Sequence, residues 1–360
     1  MKTKIFLTFD HELPLGCLNT SYEESLFKPT RRVMDIADKY GVKVTLFSDI
    51  LCAYQYKTWD FNAFYLPYKN QLQHAITNGH DVQLHIHPHW LTTKYDGKTF
   101  HPSDDFSLSD FRKDTKFGGI PGIVKQSVDS LREICLVSDE NYQCIAYRAG
   151  GYNLYPDTDL ILSALYDNGI RYDSSMAKGY YFKSSISEVD FRKLPDEPNW
   201  FINPQNYHSV LTENHNSLIY IYEIPIATIP KTPFEMPTRF KMKKYAFRAA
   251  ENRGQMLHQN NTTGFSSKLK MLFAARMLTF DNHTLSLDYL LRIVGYQIDK
   301  YKQKTDELMF CVISHPKTMG DYSFELIGDF IASIQTLYPD TEFVTYTQLH
   351  QNNTKWESKK

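Results

Sequence analysis

Asp10, His11 and Glu12 close an apolar run, IFLTFDHE, that begins at Ile5. Alternate residues of an extended chain point to the same side, so Asp10 and Glu12 share a face. Two carboxylates on one face can divide labour: one ligates a metal, the other takes a proton from water. A surface turn with ordinary ion pairing would use the same residues, so this triplet decides nothing alone.

A second island, VQLHIHPH, spaces His85, His87 and His89 by single residues. Packing explains such density poorly, because neutral imidazole is costly to bury without partners. Imidazole is a common metal ligand and suits zinc, iron, nickel or cobalt. As a strand, all three would face one way; as a turn, His85 and His89 would converge and His87 would diverge.

Three further islands follow strand-like runs: Arg148 before Gly150 and Gly151, Asp173 before Ser174 and Ser175, and His315 before Pro316. Glycines after Arg148 permit close backbone approach and can aim N–H groups at an oxyanion. His315 could act as a general acid oriented by a carboxylate, a role open to Asp173. Each island alone also reads as a turn, a helix cap or a structural histidine. Their shared position, the end of an apolar strand, is where α/β sheets and barrels place active sites.

The elements that must carry these islands alternate. Strands are predicted at Lys4–Phe9, Val42–Phe47, Val82–His85, Gln143–Tyr147, Arg171–Asp173, Ser217–Pro225, Leu308–Ser314 and Glu342–Tyr346. Helical spacing falls at Arg31–Tyr40, Asn70–Asn78, Ile123–Ile134, Asp157–Asn168, Leu285–Lys300 and Phe324–Leu337. This order favours a parallel, barrel-like α/β fold. Two insertions interrupt it. Residues 90–121 are polar and aromatic, and a loop of that length beside a site reads as a lid. Residues 231–284 form the other; Lys231–Arg276 within it carries ten Lys or Arg against two Glu. The reading is a single domain over 1–350 with a polar tail at 351–360.

A chain of 360 residues with 42% hydrophobic content and net charge −1 can bury a full core, and nothing global points to nucleic acid. The 25 Tyr and 23 Phe are scattered evenly, as core packing would have them. No run approaches the ~20 apolar residues of a membrane span, and Met1–Phe9 lacks signal-peptide features. Five cysteines without a CxxC pair fit reduced thiols, so a cytoplasmic location is expected.

Taken in order, Thr8-Phe9-Asp10, His85 with His89, Arg148-Ala149-Gly150-Gly151-Tyr152, Asp173 and His315 resemble the polysaccharide deacetylase family, the NodB-homology domain of carbohydrate esterase family four. VKVTLF at Val42–Phe47 and NGHDVQLH at Asn78–His85 add to the likeness. The resemblance covers residues 1 to about 350, apart from the two insertions. It implies a distorted (β/α) barrel of about seven parallel strands and metal-dependent removal of an N-acetyl group from a sugar, with an O-acetyl group as second choice.

Carried over residue by residue, the resemblance makes Asp10 the catalytic base, Arg148 its holder and Tyr152 the oxyanion N–H. His315 becomes the general acid, with Asp173 as its partner. Glu12, His85 and His89 would hold one divalent metal, zinc by default, with cobalt, nickel, manganese or iron as alternatives. Many members carry Asp directly after the base, where this chain has His11; His11 and His87 are therefore reserve ligands. Proline in the third island and tryptophan in the fourth are missing, which bears on substrate preference. The expected partner is an N-acetylated sugar or glycan of surface-polysaccharide biosynthesis, carrying phosphate or lipid in the sharper version. Lys and Arg beside apolar residues in 231–280 would then meet an anionic carrier or membrane surface; a helical pair packed on the barrel is the plainer alternative. Two other classes share these residues: a hydrolase of small non-sugar amides on the same barrel, and a non-catalytic glycan-binding relative.

Overall fold

Strand β1 (Lys2–His11) is buried from Ile5 through His11. Continuous burial on both faces is the mark of a parallel strand covered by other layers. The computed structural model describes residues 1–212, 219–231, 254–255, 264–281 and 286–352. Around β1 stand β2 (Thr45–Asp49), β3 (Asp81–Ile86), β4 (Ala146–Ala149), β5 (Tyr172–Asp173), β6 (Trp200–Phe201), β7 (Tyr222–Glu223), β8 (Glu307–Ser314) and β9 (Thr341–Phe343). In space they run β6-β7-β5-β4-β3-β2-β1-β8. Every pairing is parallel except β6 with β7.

β1 works in two halves. Thr3–Ile5 pair with β9, whereas Thr8–His11 pair with β2. The sheet then curls until its ends meet. Ile226, just past β7, bridges Ala177 on one side and Cys311 of β8 on the other. The Ala227 N–H donates to the Cys311 carbonyl, and the Cys311 N–H donates to that of Pro225. A seven-stranded parallel barrel is thus closed by a short seam, the distorted barrel that the sequence led one to expect.

Helices α1 (Lys28–Lys39), α2 (Ile50–Trp59), α3 (Leu66–Thr77), α4 (Gly119–Cys135), α5 (Thr158–Asp167), α6 (Phe265–Phe273), α7 (Leu287–Tyr301), α8 (Asp321–Leu337) and α9 (Tyr346–Asn352) complete the described elements. α1 shows the pattern: Val33, Met34 and Ala37 face the core while Arg31, Arg32 and Asp35 stay exposed. α6 is the exception, with no buried residue.

The 90–121 insertion is an ordered flap. It holds a short hairpin (Lys94–Tyr95 with Phe100–His101) and a turn at Leu108–Phe111, anchored by buried Phe100, Phe106, Leu108 and Phe111. Most of the basic insertion and the tail from residue 353 lie outside the described residues. Within the described part, one helix (α6) stands where a helical pair is the plainer expectation, and Arg276–Met277 pairs with Thr228–Ile229.

Candidate active site and metal centre

The C-terminal ends of β1, β3, β4 and β8 bring Asp10, Glu12, His85, His87, Arg148 and His315 together. Asp10 sits between Arg148 and two imidazoles. Its Oδ1 lies 2.7 Å from Arg148 Nη1, and its Oδ2 is 3.4 Å from His315 Nε2 and 3.9 Å from His85 Nε2. Burial pushes the Asp10 carboxyl up, but Arg148, His85 and His315 outweigh it and hold it well below the usual carboxylate range.

Arg148 is fully buried, and every arm is used. Nε donates to the Ser174 carbonyl at 2.9 Å and Nη2 to Ser174 Oγ at 3.0 Å, while the guanidinium stacks on Phe47 at 4.3 Å. An Arg so fixed presents one remaining direction, and Asp10 occupies it.

Glu12 divides its oxygens. Oε1 is 2.8 Å from Lys317 Nζ, and Oε2 faces His87 Nε2 at 2.7 Å and His85 Nε2 at 3.6 Å. His85 Nδ1 is 2.8 Å from the Arg148 carbonyl, which can only accept, so Nδ1 carries the proton. Burial pushes His85 down, but Asp10 and Glu12 outweigh it and raise it; in its neutral form Nε2 is bare and turned inward, the tautomer a metal-ligating imidazole needs. Glu12 Oε2 and His85 Nε2 are both buried without an aligned hydrogen bond. Buried polar atoms without partners are costly, and a cation among them would remove the cost. The donor set of one carboxylate and two imidazoles fits a divalent ion of the zinc type.

Among the described residues two groups bring ligand atoms within 4.8 Å of one another: Glu12, His85 and His87, and Asp10, Glu12 and His315. His89 is in neither. β3 ends at Ile86, and Pro88–Leu91 makes a 3-10 turn that carries His89 away. His85 and His87 are alternate residues of an extended run and share a face; the turn breaks that register one residue later. Asp49 fixes this geometry, accepting from the Trp90 indole at 2.6 Å and the His87 N–H at 3.4 Å. His89 instead packs against Trp90, His87 and Phe106, with both ring nitrogens unpartnered. Burial pushes it well below the ordinary histidine value. The pair expected at His85 and His89 is, in ligand geometry, His85 and His87. His11 faces away, 2.9 Å from Gln71 Oε1 and against Tyr68, and burial lowers it to about 4.

Asp173 also needs correcting as partner of His315. Its carboxylate accepts from Ser175 Oγ at 2.8 Å and the Ser175 N–H at 3.0 Å, beside buried Glu223. Ser175 Oγ in turn accepts from the Ala149 N–H at 2.8 Å. Asp173 therefore braces the Arg148 loop from below. The carboxylate that reaches His315 is Asp281: Oδ2 lies 2.9 Å from His315 Nδ1, and Oδ1 accepts the His315 N–H at 2.7 Å. Burial pushes His315 down, but Asp281 and Asp10 outweigh it and hold it at about 10. A readable signal existed: LTFD at Leu278–Asp281 repeats the LTFD that ends in Asp10. Lys317 had no such signal.

Gly150 and Gly151 matter for a steric reason. A Cβ on Gly150 would sit 2.4 Å from the Ile86 carbonyl and 2.7 Å from His87 Nδ1, and one on Gly151 would sit 2.3 Å from Phe106. Gly151 and Tyr152 both take positive φ, 58° and 62°. For a bulky side chain this is strained backbone, a condition found where function fixes a turn.

Replacing Asp281 with Asn is expected to leave zinc affinity intact and to lower kcat by about 10²-fold, toward the lower end of a general acid's ~10²–10⁴ contribution. KM should stay near wild type, and Asp281→Glu should recover part of the loss. An Asp173→Asn variant with the larger kcat defect would contradict the Asp281 assignment.

No family model matches this sequence, and no curated protein does. Solved structures are similar in chain trace. One, described as a polysaccharide deacetylase from Mycobacterium smegmatis, has a TM-score of 0.49 at 12% identity, covering 99% of this chain and 91% of its own. PuuE allantoinase gives 0.49 at 9%, with the same coverage. A 4-alpha-glucanotransferase from Thermococcus litoralis gives 0.48 at 12%, over 98% of this chain and 41% of its own.

Proposed function

We propose that the protein is a metal-dependent hydrolase that removes the N-acetyl group of a carbohydrate. The observation that carries this reading is the convergence of Asp10 and His315 on one edge of a three-donor pocket, Glu12, His85 and His87, that holds unpartnered ligand atoms; Arg148 favours an ionised Asp10, and Asp281 a protonated His315. A base and an acid of opposite protonation flanking one space are what amide hydrolysis needs.

Glu12, His85 and His87 would hold the metal, with Lys317 keeping the second Glu12 oxygen occupied. A divalent ion bound there supplies Lewis acidity and makes nearby water more acidic. Asp10 takes a proton from the attacking water at Oδ2, the oxygen that Arg148 leaves free. Arg148 keeps Asp10 ionised and fixed. The Tyr152 N–H would meet the oxygen of the tetrahedral carbon. His315 passes its Nε2 proton to the departing amine, while Asp281 holds Nδ1. Water adds to the carbonyl carbon, the C–N bond breaks, and acetate and a free amine result.

The N-acetyl sugar and its carrier belong to the same proposal. α6 exposes Phe265, Leu269, Leu272 and Phe273 beside Lys268 and Lys270, which supports contact with an anionic, lipid-linked sugar at a membrane surface. Lys241, Lys243 and Lys244 of the same segment lie outside the described residues. A cytoplasmic setting, with five free cysteines, completes the reading.

The test is acetate release from N-acetylglucosamine oligomers, a nucleotide-linked N-acetyl sugar and a small cyclic amide, each with the zinc-loaded protein. Release from the sugars and none from the cyclic amide is expected. Hydrolysis confined to the cyclic amide would replace the substrate class, and sugar binding without turnover would make the protein a binder.

A further inference from the structure

A second cluster of charge lies apart from this site and shares no residue with it. A cavity of about 270 Å³ opens between the chain after β5, the segment after β7 and the end of α7. Lys178, Lys300, Tyr301, Asp196 and Arg192 line it. Three ammonium groups crowd the Tyr301 ring: Lys178 and Lys300 at 4.9 Å from its centroid, and Lys304 at 5.9 Å.

Asp196 is the one carboxylate among the residues that line the cavity. It serves two of the ammonium groups, at 2.6 Å from Lys300 and 2.7 Å from Lys304. Arg192 is balanced separately, with Nε and Nη2 on the two oxygens of Asp190 at 2.7 and 2.5 Å. Lys178 forms no ion pair among the described residues. Its Nζ donates to the Glu197 carbonyl and, at 2.8 Å, to Tyr301 Oη, and it lies over the Trp200 ring at 4.8 Å. Burial, then Lys300, lowers Lys178 to about 7. Burial and Lys300 outweigh the Asp196, Glu223 and Glu197 carboxylates that favour its charged form.

Among the residues that line the cavity, Lys178, Lys300 and Arg192 are cations and Asp196 is the one carboxylate; Glu223 and Glu197 act on Lys178 from outside the lining. A phosphate monoester carries about −1.5 to −2 at neutral pH. Lysine ammonium groups bind such groups as point charges, without needing a planar fork. We infer that the Lys178–Lys300–Tyr301 cavity is a binding site for a phosphoryl group, with room for the small polar moiety that bears it. The inference stands independently of the hydrolase reading. Two sources present the same chemistry: a soluble phosphorylated sugar, and a phosphomonoester lipid headgroup. The second is suggested by exposed Phe273, which lines the cavity at the end of α6.

The experiment uses the full chain and reads binding alone. Isothermal titration and thermal shift are run with inorganic phosphate, a hexose monophosphate and the unphosphorylated hexose, with sodium acetate at matched ionic strength as control. Co-sedimentation uses phosphatidylcholine vesicles with and without phosphatidic acid. Lys178→Met and Lys300→Gln are the variants. Lys178→Met removes a buried cation that makes no close ion pair among the described residues, so its ligand-free Tm should equal or exceed wild type. Phosphate or hexose monophosphate should raise the wild-type Tm, and both variants should lose that shift and bind at least tenfold more weakly. Binding of phosphatidic acid vesicles alone, lost in both variants, assigns the site to the lipid headgroup. Equal shifts with acetate, binding unchanged in both variants, or no binding in any arm would overturn the inference. Should Lys178→Met fail to fold, Lys300→Gln decides on the same criteria.

Discussion

The Asp10→Asn protein is expected to release acetate about 10²–10⁴-fold more slowly than wild type while still binding zinc. Asparagine keeps the shape of Asp10 but cannot take a proton from water. Its metal affinity should change little, because Glu12, His85 and His87 would supply the ligand atoms. Its stability should fall, because Arg148 is fully buried and Asp10 is its only carboxylate partner among the described residues. Breaking a buried pair from one side costs about 3–5 kcal/mol. Acetate release, zinc titration and urea denaturation on one preparation separate these effects. Near-wild-type turnover would move the base to Glu12, the other carboxylate of the pair.

The second large effect separates two histidines that the sequence presents alike. His87→Ala is expected to lose stoichiometric zinc and, with it, acetate release. His89→Ala should keep both and lose stability, since it empties a packed site between Trp90 and Phe106. His85→Ala should behave as His87→Ala. Zinc content after dialysis is the readout, with circular dichroism to confirm folding. Zinc retained by His87→Ala and lost by His89→Ala would restore the spacing that the family resemblance implies.

That contrast shows where a linear reading reaches its limit. Asp10 and Glu12 were legible as a pair because strand alternation alone puts them on one side. His85 and His87 obey the same rule, but the choice between strand and turn for residues 85–89 depends on Asp49, thirty-six positions before His85. Arg148 was legible as the holder of Asp10 through resemblance; its other anchors, Ser174 just after β5 and Phe47 in β2, carry no local mark. Asp281 was hidden inside a segment whose basic composition drew attention to charge instead of strand character. Elements show the same division. α1 and α7 were found from their one-sided apolar stripes, whereas α2 (ILCAYQYKTW) has no polar face to betray a period and went unread. Of the strand expected at Ser217–Pro225, residues 217 and 218 lie outside the described residues, and Tyr222–Glu223 forms the strand, held to two residues because β5 and β6, its partners, are themselves two residues long.

Chelation and reconstitution address the central claim most directly. Protein stripped of metal and dialysed should release no acetate from an N-acetylglucosamine oligomer. One equivalent of zinc should restore release, with the titration breaking at a stoichiometry of one and His87→Ala unable to respond. Acetate release that survives complete removal of metal, or that returns equally in His87→Ala, would contradict the account.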